Sequence, residues 1–238
     1  ILACEVETPR ALLATGKVVG IDVGLKNLVT TSDGEVLGDL ETLKMAEKKL
    51  RKAQRNASRK AKGSNRRKKA VQILARRHQD LTRSRKAQVD VISRKLVNEN
   101  DVIVREDLAI QQLINLGGDN AQGRGIRRNW RHAAVATLCK RIDYKAESAG
   151  RRSFGVDPRG TTIDCSGCGE PVPKTLSVRT HICPHCGLVL CRDVNAARNV
   201  LQRGLRLQRG GTPQAPSLER EMEYNDPLKR GVSLGLTT

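Results

Sequence analysis

Two short cysteine motifs, Cys165-Ser-Gly-Cys168-Gly and Cys183-Pro-His-Cys186-Gly, stand 14 residues apart and constrain this chain more than any other feature of its sequence. A Cys-x-x-Cys turn is tight enough to aim two thiolates at one ion, and the glycine that follows supplies a positive φ. Two such knuckles complete a tetrahedral site and leave no open coordination position. The spacing therefore predicts one structural Zn2+ held by Cys165, Cys168, Cys183 and Cys186. The metal would fold a segment too poor in apolar residues to fold alone. A pair of disulfides is the competing reading, disfavoured by the intracellular character of the sequence. His181 and His185 lie close enough to be substitute ligands, and Cys4 and Cys139 read as ordinary small or buried residues.

Charge is the second constraint. Of the net +19 carried by 238 residues, +17 falls between Lys44 and Lys95, where 20 Lys and Arg face three acids. Apolar residues inside this block recur at helical spacing: Leu43, Ala46, Leu50, Ala53 and Ala57, then Ala70, Ile73, Leu74, Leu81, Val89, Ile92 and Leu96. Gly63-Ser64-Asn65 interrupts them with turn chemistry, so the block reads as an antiparallel pair of helices at about 41–61 and 66–99. A solvated face or a disordered tail is the bland alternative, and the retained periodicity speaks against disorder. Phosphate neutralisation is the better account. On the first helix the candidate contacts are Lys48, Lys49, Arg51, Lys52, Arg55, Arg59 and Lys60. The second offers Arg66, Arg67, Lys68, Lys69, Arg76 and Arg77. Aromatics are 2% of the chain (Trp130, Tyr144, Tyr224 and Phe154), too few for base-stacking platforms, which leaves the phosphates as the main handle. No run approaches the roughly 20 apolar residues that span a bilayer, so the expectation is a soluble cytoplasmic protein without a membrane partner.

Outside the basic block the chain alternates short β-branched runs with helical patterns. Lys17–Val23 and Asn27–Ser32 read as strands, and Asp33-Gly34 turns the second toward Val36-Leu37. A buried strand is predicted at 101–105, a helix at 128–148 with Trp130 beginning its apolar side, a strand at 153–157 and a last helix at 194–205. Three acids sit at the ends of these elements: Asp22 in the first strand, Glu106 after the fourth, and Asp193 at the start of the last helix. Singly each has an ordinary role, as turn former, salt-bridge partner and N-cap. As a set they carry a cost of several kcal/mol each unless a cation meets them. Two Mg2+ or Mn2+ ions would meet it, and would suit phosphodiester hydrolysis. Three strands with an acid on the first, a fourth ending in an acid, then a helix opening on an acid is the order of the ribonuclease H-like fold.

In that order, Gly20-Ile-Asp-Val-Gly-Leu-Lys-Asn-Leu28, Glu106-Asp-Leu108, Tyr144-Lys-Ala-Glu147, Val156-Asp-Pro158, the two knuckles and Arg192-Asp-Val-Asn-Ala-Ala197 resemble the RuvC nuclease half of TnpB, the RNA-guided endonucleases of insertion sequences, similar to compact type V CRISPR effectors. The resemblance covers about Lys17 to Gly204. It implies an α/β, ribonuclease H-like (RuvC) domain with a basic helical-hairpin insertion and a Cys4 zinc-ribbon insertion. Its catalytic triad falls on Asp22, Glu106 and Asp193, and its zinc ligands on the four knuckle cysteines. It further implies a guide RNA, a target DNA, action near transposon ends in a prokaryotic cytoplasm at the nucleoid, and a basic hairpin lying against the heteroduplex. Boundaries follow: 1–16 the remnant of an upstream recognition lobe, 17–164 and 187–206 the nuclease domain, 165–186 the ribbon, and 207–238 a flexible tail. Arg192 is a candidate to orient the scissile phosphate, and Asn195 to support the site from behind. The family's usual Asp-Arg-Asp is here Cys191-Arg192-Asp193. A non-catalytic nucleic-acid-binding module with a structural zinc ribbon is the alternative, and a basic ribosomal-type protein a third. The last explains the charge and the cysteines but not the ordered acids.

Overall fold

The computed structural model describes residues 11–24, 27–38, 40–108, 135–175 and 177–210. A five-stranded mixed sheet forms the frame, built from β1 (Val18–Asp22), β2 (Val29–Thr31), β3 (Val36–Leu37), β4 (Val102–Glu106) and β5 (Arg152–Val156) in the order β3-β2-β1-β4-β5. The first three strands are an antiparallel meander, and β1, β4 and β5 run parallel. Four helices are described: α1 (Leu40–Ser58), α2 (Asn65–Glu99), α3 (Val135–Ser148) and α4 (Arg192–Gln208). A separate two-stranded hairpin joins β6 (Thr180–Ile182) to β7 (Val189–Cys191). Among the described residues no helix is long and apolar enough to cross a membrane.

Strand alternation decides what each face carries. On β1 and β4, Val19, Ile21 and Ile103 turn to one side and join Val89, Ile92 and Leu96 of α2 and Val135, Leu138 and Ile142 of α3 in the main core. Side chains this deeply buried each contribute about 1.5–3 kcal/mol. Gly20, Asp22, Val104 and Glu106 have the opposite parity and face α4, where Val104 meets Val156 and Val200. Because Val18 pairs with Val102 and Gly20 with Val104, continuing the register sets Asp22 beside Glu106 at the C-terminal end of both strands.

The sequence boundaries shift in four places. Glu106 is the last residue of β4 and not the one after it. The proposed insertion at 41–99 is only partly an insertion: Val89, Ile92, Leu96 and Val97 of α2 belong to the main core. Asp90 is also tied to Arg141 of α3 at 2.8 Å and to Lys145 at 3.5 Å. A continuous helix of 35 residues, about 50 Å long, thus roots the projecting arm in the sheet. The ribbon does not close at 186, since β7 pairs with β6 as far as Cys191. Finally, α4 runs on to Gln208, beyond the expected end at 205. The helix expected at 128–148 is described from Val135 onward, so Trp130 lies outside the described residues, as do Cys4, residues 1–10 and most of the expected tail.

A clamp closes the sheet at the other end of the strands. Asp101 accepts hydrogen bonds from the backbone N–H groups of Thr15 (2.8 Å) and Gly16 (2.7 Å) and pairs with the buried Arg151, whose Nη2 donates to the Leu13 carbonyl at 2.6 Å. Those N–H donations, with the Arg151 charge, hold the Asp101 carboxyl below the usual range.

Candidate active site and metal centre

Asp22, Glu106 and Asp193 reach one place from three elements. The strand register delivers the first two, and the direction of α4, which begins at the acid end and runs back over Gly20 and Val104, delivers the third. Glu106 and Asp193 are each 8% exposed. Asp22 is packed deeply enough that burial, followed by the like charges of Glu106 and Asp193, pushes its carboxyl from 3.8 up to about 8, with Arg192 acting against the rise. Burial also raises Glu106, opposed by a Thr161 hydroxyl donation at 2.6 Å and by the charge of Arg203. Asp193 lies in the first turn of α4, where Cys191 occupies the N-cap without a side-chain bond, so the ordinary N-cap reading of Asp193 fails. Its carboxylate is met by Arg192 at 3.4 Å and by Arg179 of the ribbon at 3.9 Å.

Hard carboxylate oxygens, two of the three residues buried and the third part-buried and repelled by both, form a donor set that suits a divalent cation of the Mg2+ or Mn2+ type. Within the described residues, the ligand atoms that all come within 4.8 Å of one another are those of the four cysteines. The three carboxylates therefore stand more loosely.

The cysteines of the two knuckles are gathered at one point, Cys165 and Cys183 buried, Cys168 and Cys186 exposed. Sulfur separations of 3.6 Å for Cys165–Cys186 and for Cys168–Cys183 are far beyond a disulfide bond of about 2.05 Å. They match the edge of about 3.8 Å that a tetrahedron with Zn–S bonds near 2.3 Å requires. The donor set therefore fits zinc, and the disulfide reading is overturned: all four thiols are free. Gly169 and Gly187 hold φ of 83° and 73°, as the knuckle turns demand. His181 is fully buried with Nδ1 2.6 Å from the Lys174 ammonium nitrogen, and it is not a member of the ligand group.

Sequence reasoning missed how the two centres are joined. Asn195, Asn199, Gln202 and Arg203 recur at helical spacing along one face of α4 and bond the strap that runs from Asp157 to Ser166. Asn195 accepts from the Ser166 N–H at 2.9 Å and donates to the Asp164 carbonyl at 2.8 Å. The signal is a polar stripe, Asn195, Asn199, Gln202 and Arg203, beside Ala196, Ala197 and Val200.

Most of the basic candidates on α1 and α2 are exposed, including Arg51, Arg55 and Arg59, which line one shallow depression. Arg67 is different: its guanidinium turns back to the carbonyls of Ala57 (3.2 Å) and Lys60 (3.1 Å).

Comparison with known proteins gives a consistent picture. Residues 1–116 match the IS605 OrfB family model, described as "Probable transposase", and residues 136–200 match "Cas12f1-like, TNB domain". A protein of Streptomyces pristinaespiralis named "Putative RNA-guided DNA endonuclease" is 38% identical over 231 residues, 96% of this chain and 55% of that protein. The Escherichia coli (strain K12) protein named "Putative RNA-guided DNA endonuclease InsQ" is 29% identical over 209 residues, 84% of this chain and 52% of its own length. The chain thus spans about half the length of these relatives. The fold is shared with a chain in a cryo-EM structure of a Cas12f1-sgRNA-target DNA complex, with a TM-score of 0.56 and 18% identity over 81% of this chain and 51% of that one.

Proposed function

We propose that the chain is a TnpB-type insertion-sequence protein, the RuvC nuclease half of an RNA-guided DNA endonuclease acting on DNA beside transposon ends in a prokaryotic cytoplasm, a reading supported by the matching family models and the similar endonuclease-named relatives. The observation that carries this reading is the meeting of Asp22, Glu106 and Asp193, with the Asp22 carboxyl raised to about 8 by burial and by its two acidic neighbours. Carboxylates that disfavour one another's ionisation in this way would be stabilised by divalent cations. The sheet order, with acids ending β1 and β4 beneath the helix that carries the third, supports a ribonuclease H-like assignment.

Asp22, Glu106 and Asp193 would hold the divalent ions, two in this reading. Bound there, the ions would supply the charge that lowers the pKa of an attacking water and stabilises the leaving oxygen of the phosphodiester. The protein's own part is positional. Glu106 and Asp22 are fixed by the strand register, and Asp193 by the packing of α4 on Gly20. Arg192, 13% exposed and against Asp193, keeps a guanidinium where a scissile phosphate would need one. Arg179 brings a second from the ribbon. The zinc ribbon holds its knuckles in shape and so gives α4 a rigid partner. Along the arm, Arg51 and Arg55 stand four residues apart on α1, about 6 Å and close to the spacing of phosphates on a strand, and with Arg59 just past the helix end they would grip the guide-target duplex by its backbone.

The test is cleavage of end-labelled DNA by the purified chain in Mg2+ or Mn2+, with Asp22→Ala alongside. Metal-dependent cutting lost in the mutant is the expected result; cutting that survives Asp22→Ala overturns it. Salt-sensitive binding without cutting, with or without a guide RNA, would instead point to a non-catalytic binding module or to a nuclease half that needs the rest of a longer protein.

A further inference from the structure

Thr161 lies in the strap between β5 and the first zinc knuckle and is 2% exposed. Its hydroxyl oxygen is 2.6 Å from Glu106 Oε1 and 2.9 Å from the carbonyl oxygen of Pro158. One hydroxyl proton cannot serve two acceptors fully. With Glu106 ionised the shorter, charge-assisted bond takes it, and the carboxylate is fixed in one rotamer with its second oxygen left for another partner. Nothing in the chemistry of hydrolysis needs Thr161 itself.

What holds Thr161 in place comes from α4. The Asn199 side-chain amide donates to the Thr161 carbonyl at 2.8 Å and to the Asp164 carbonyl at 2.7 Å. Both its protons are thereby committed, and Asn199 is itself 6% exposed. The same strap is fixed downstream by Asn195 and by Gln202 Nε2 on the Ser166 carbonyl at 2.8 Å, next to Cys165. Arg203 completes the seam on the carbonyls of Asp157 (2.7 Å) and Arg159 (2.6 Å). One helix therefore presents Asp193 directly and reaches Glu106 through a second route, Asn199 to Thr161 to carboxylate. Buried amides with both donors satisfied are costly to remove, and they fix a geometry in a way that exposed contacts do not.

We propose that Thr161 and Asn199 are positioning residues of the acidic centre, orienting Glu106 for its divalent cation from the strap that the zinc knuckle anchors. The inference rests on the acidic centre proposed above, and the experiment separates the two. Mn2+ binding to the full chain is followed by the electron paramagnetic resonance signal of the free ion, with zinc content and the thermal melt recorded for every variant. Thr161→Val keeps the shape and removes the hydroxyl; Thr161→Ser restores it. The expected result is a Mn2+ dissociation constant raised about tenfold or more by Thr161→Val, in the range for lost outer-shell partners of metal ligands. Thr161→Ser should return it to near the wild-type value, and Asn199→Ala should move it in the same direction as Thr161→Val. In cleavage assays Thr161→Val and Asn199→Ala should raise the Mn2+ concentration for half-maximal rate while leaving the KM for DNA unchanged, and Thr161→Ser should leave both unchanged.

Mn2+ binding by Thr161→Val equal to wild type, or a weakening that Thr161→Ser does not restore, overturns the proposal. If Asp22→Ala weakens Mn2+ binding in that same series, the acidic centre stands and only the positioning role falls. If Asp22→Ala leaves Mn2+ binding untouched, both fall. Should Asn199→Ala not fold, Thr161→Val and Thr161→Ser decide the matter alone.

Discussion

Gly20 of β1 lies so close beneath α4 that a Cβ placed on it would sit 2.3 Å from the Ala197 carbonyl oxygen and 2.6 Å from the Leu201 backbone nitrogen. Both obstacles are backbone, so neither can rotate away. The same device recurs across the interface at Gly204, whose Cβ would fall 2.5 Å from Val104. The two glycines let α4 settle onto the sheet, and only from that depth does its first turn bring Asp193 to the acids of β1 and β4. Gly20→Ala should push the helix outward, at a cost of about 1–3 kcal/mol or more for overpacking. A melting temperature lowered by roughly 5 °C is expected for a chain of this size, with metal-dependent cleavage lost although every acid is retained. An unchanged melt would show that α4 tolerates displacement and that its depth is not what aligns the site.

Zinc loading should behave as a folding event. The purified chain is expected to carry one zinc, measured by elemental analysis, and Cys165→Ser to lose both the metal and several degrees of melting temperature, because Asn195 and Gln202 are bonded to the neighbouring Ser166. The pH dependence has a definite sign. At Cys168 the Glu170 N–H favours the thiolate, yet desolvation and the thiols of Cys183, Cys186 and Cys165 prevail and push it up to about 12. At Cys183 desolvation is outweighed by the N–H groups of Cys186 and His185 and by thiol donation from Cys165 and Cys168, which bring it down to about 6. Zinc must displace the protons that remain, so its affinity should rise as pH rises. Competition with a chromophoric chelator between pH 6 and 8 measures this, and a flat profile would contradict thiolate ligation.

The pieces legible in the sequence were those written in local chemistry. Cysteine spacing announced the knuckles, β-branched runs announced β1 and β4, and the ends of those runs pointed to Asp22 and Glu106. The strand order and the depth of α4 depend on contacts far apart in the chain, such as Gly20 with Ala197, and no local pattern reports them. The dual character of α2 was hidden for a related reason. Its apolar spacing is helical throughout, and periodicity does not say that Ile92 and Leu96 join the main core of the sheet while Leu81, equally buried, does not. The polar seam of Asn199, Gln202 and Arg203 was masked because buried and exposed polar residues look alike in a sequence.

Asp22 makes the stability of the metal-depleted protein depend on pH. Between its ordinary value of 3.8 and about 8 the unfolded chain has released the proton while the folded chain keeps it. The folded state then binds one more proton, so this group's contribution falls as pH rises through that window, by up to about 1.4 kcal/mol per pH unit. Thermal melts in chelator from pH 5 to 8 should show a decline that Asp22→Asn flattens, with the mutant the more stable protein at pH 8. Added Mg2+ should stabilise the wild type more at pH 8 than at pH 6, because the ion competes with the proton. A mutant that declines as the wild type does would place the titration elsewhere.

Two sets of arginines on the arm should separate binding from folding. Arg51 and Arg55 of α1 and Arg59 just past its end line one shallow depression, and replacing all three with Gln removes phosphate contacts without disturbing a helix that Gln favours nearly as well. Each lost contact should lower the slope of log affinity against log salt by about 0.7–0.9, so the triple variant is expected to lose about 2 from the slope for DNA or RNA, with its melt unchanged. Arg67 should behave in the opposite way, because its guanidinium caps the Ala57 and Lys60 carbonyls at the end of α1. Arg67→Gln should destabilise the arm by about 1 kcal/mol and leave the salt slope nearly intact. Filter binding across a salt series, run beside thermal melts, distinguishes the two. Equal slope losses for Arg67→Gln and the triple variant would mean that the arm binds as a diffuse cloud of charge and not along a defined row.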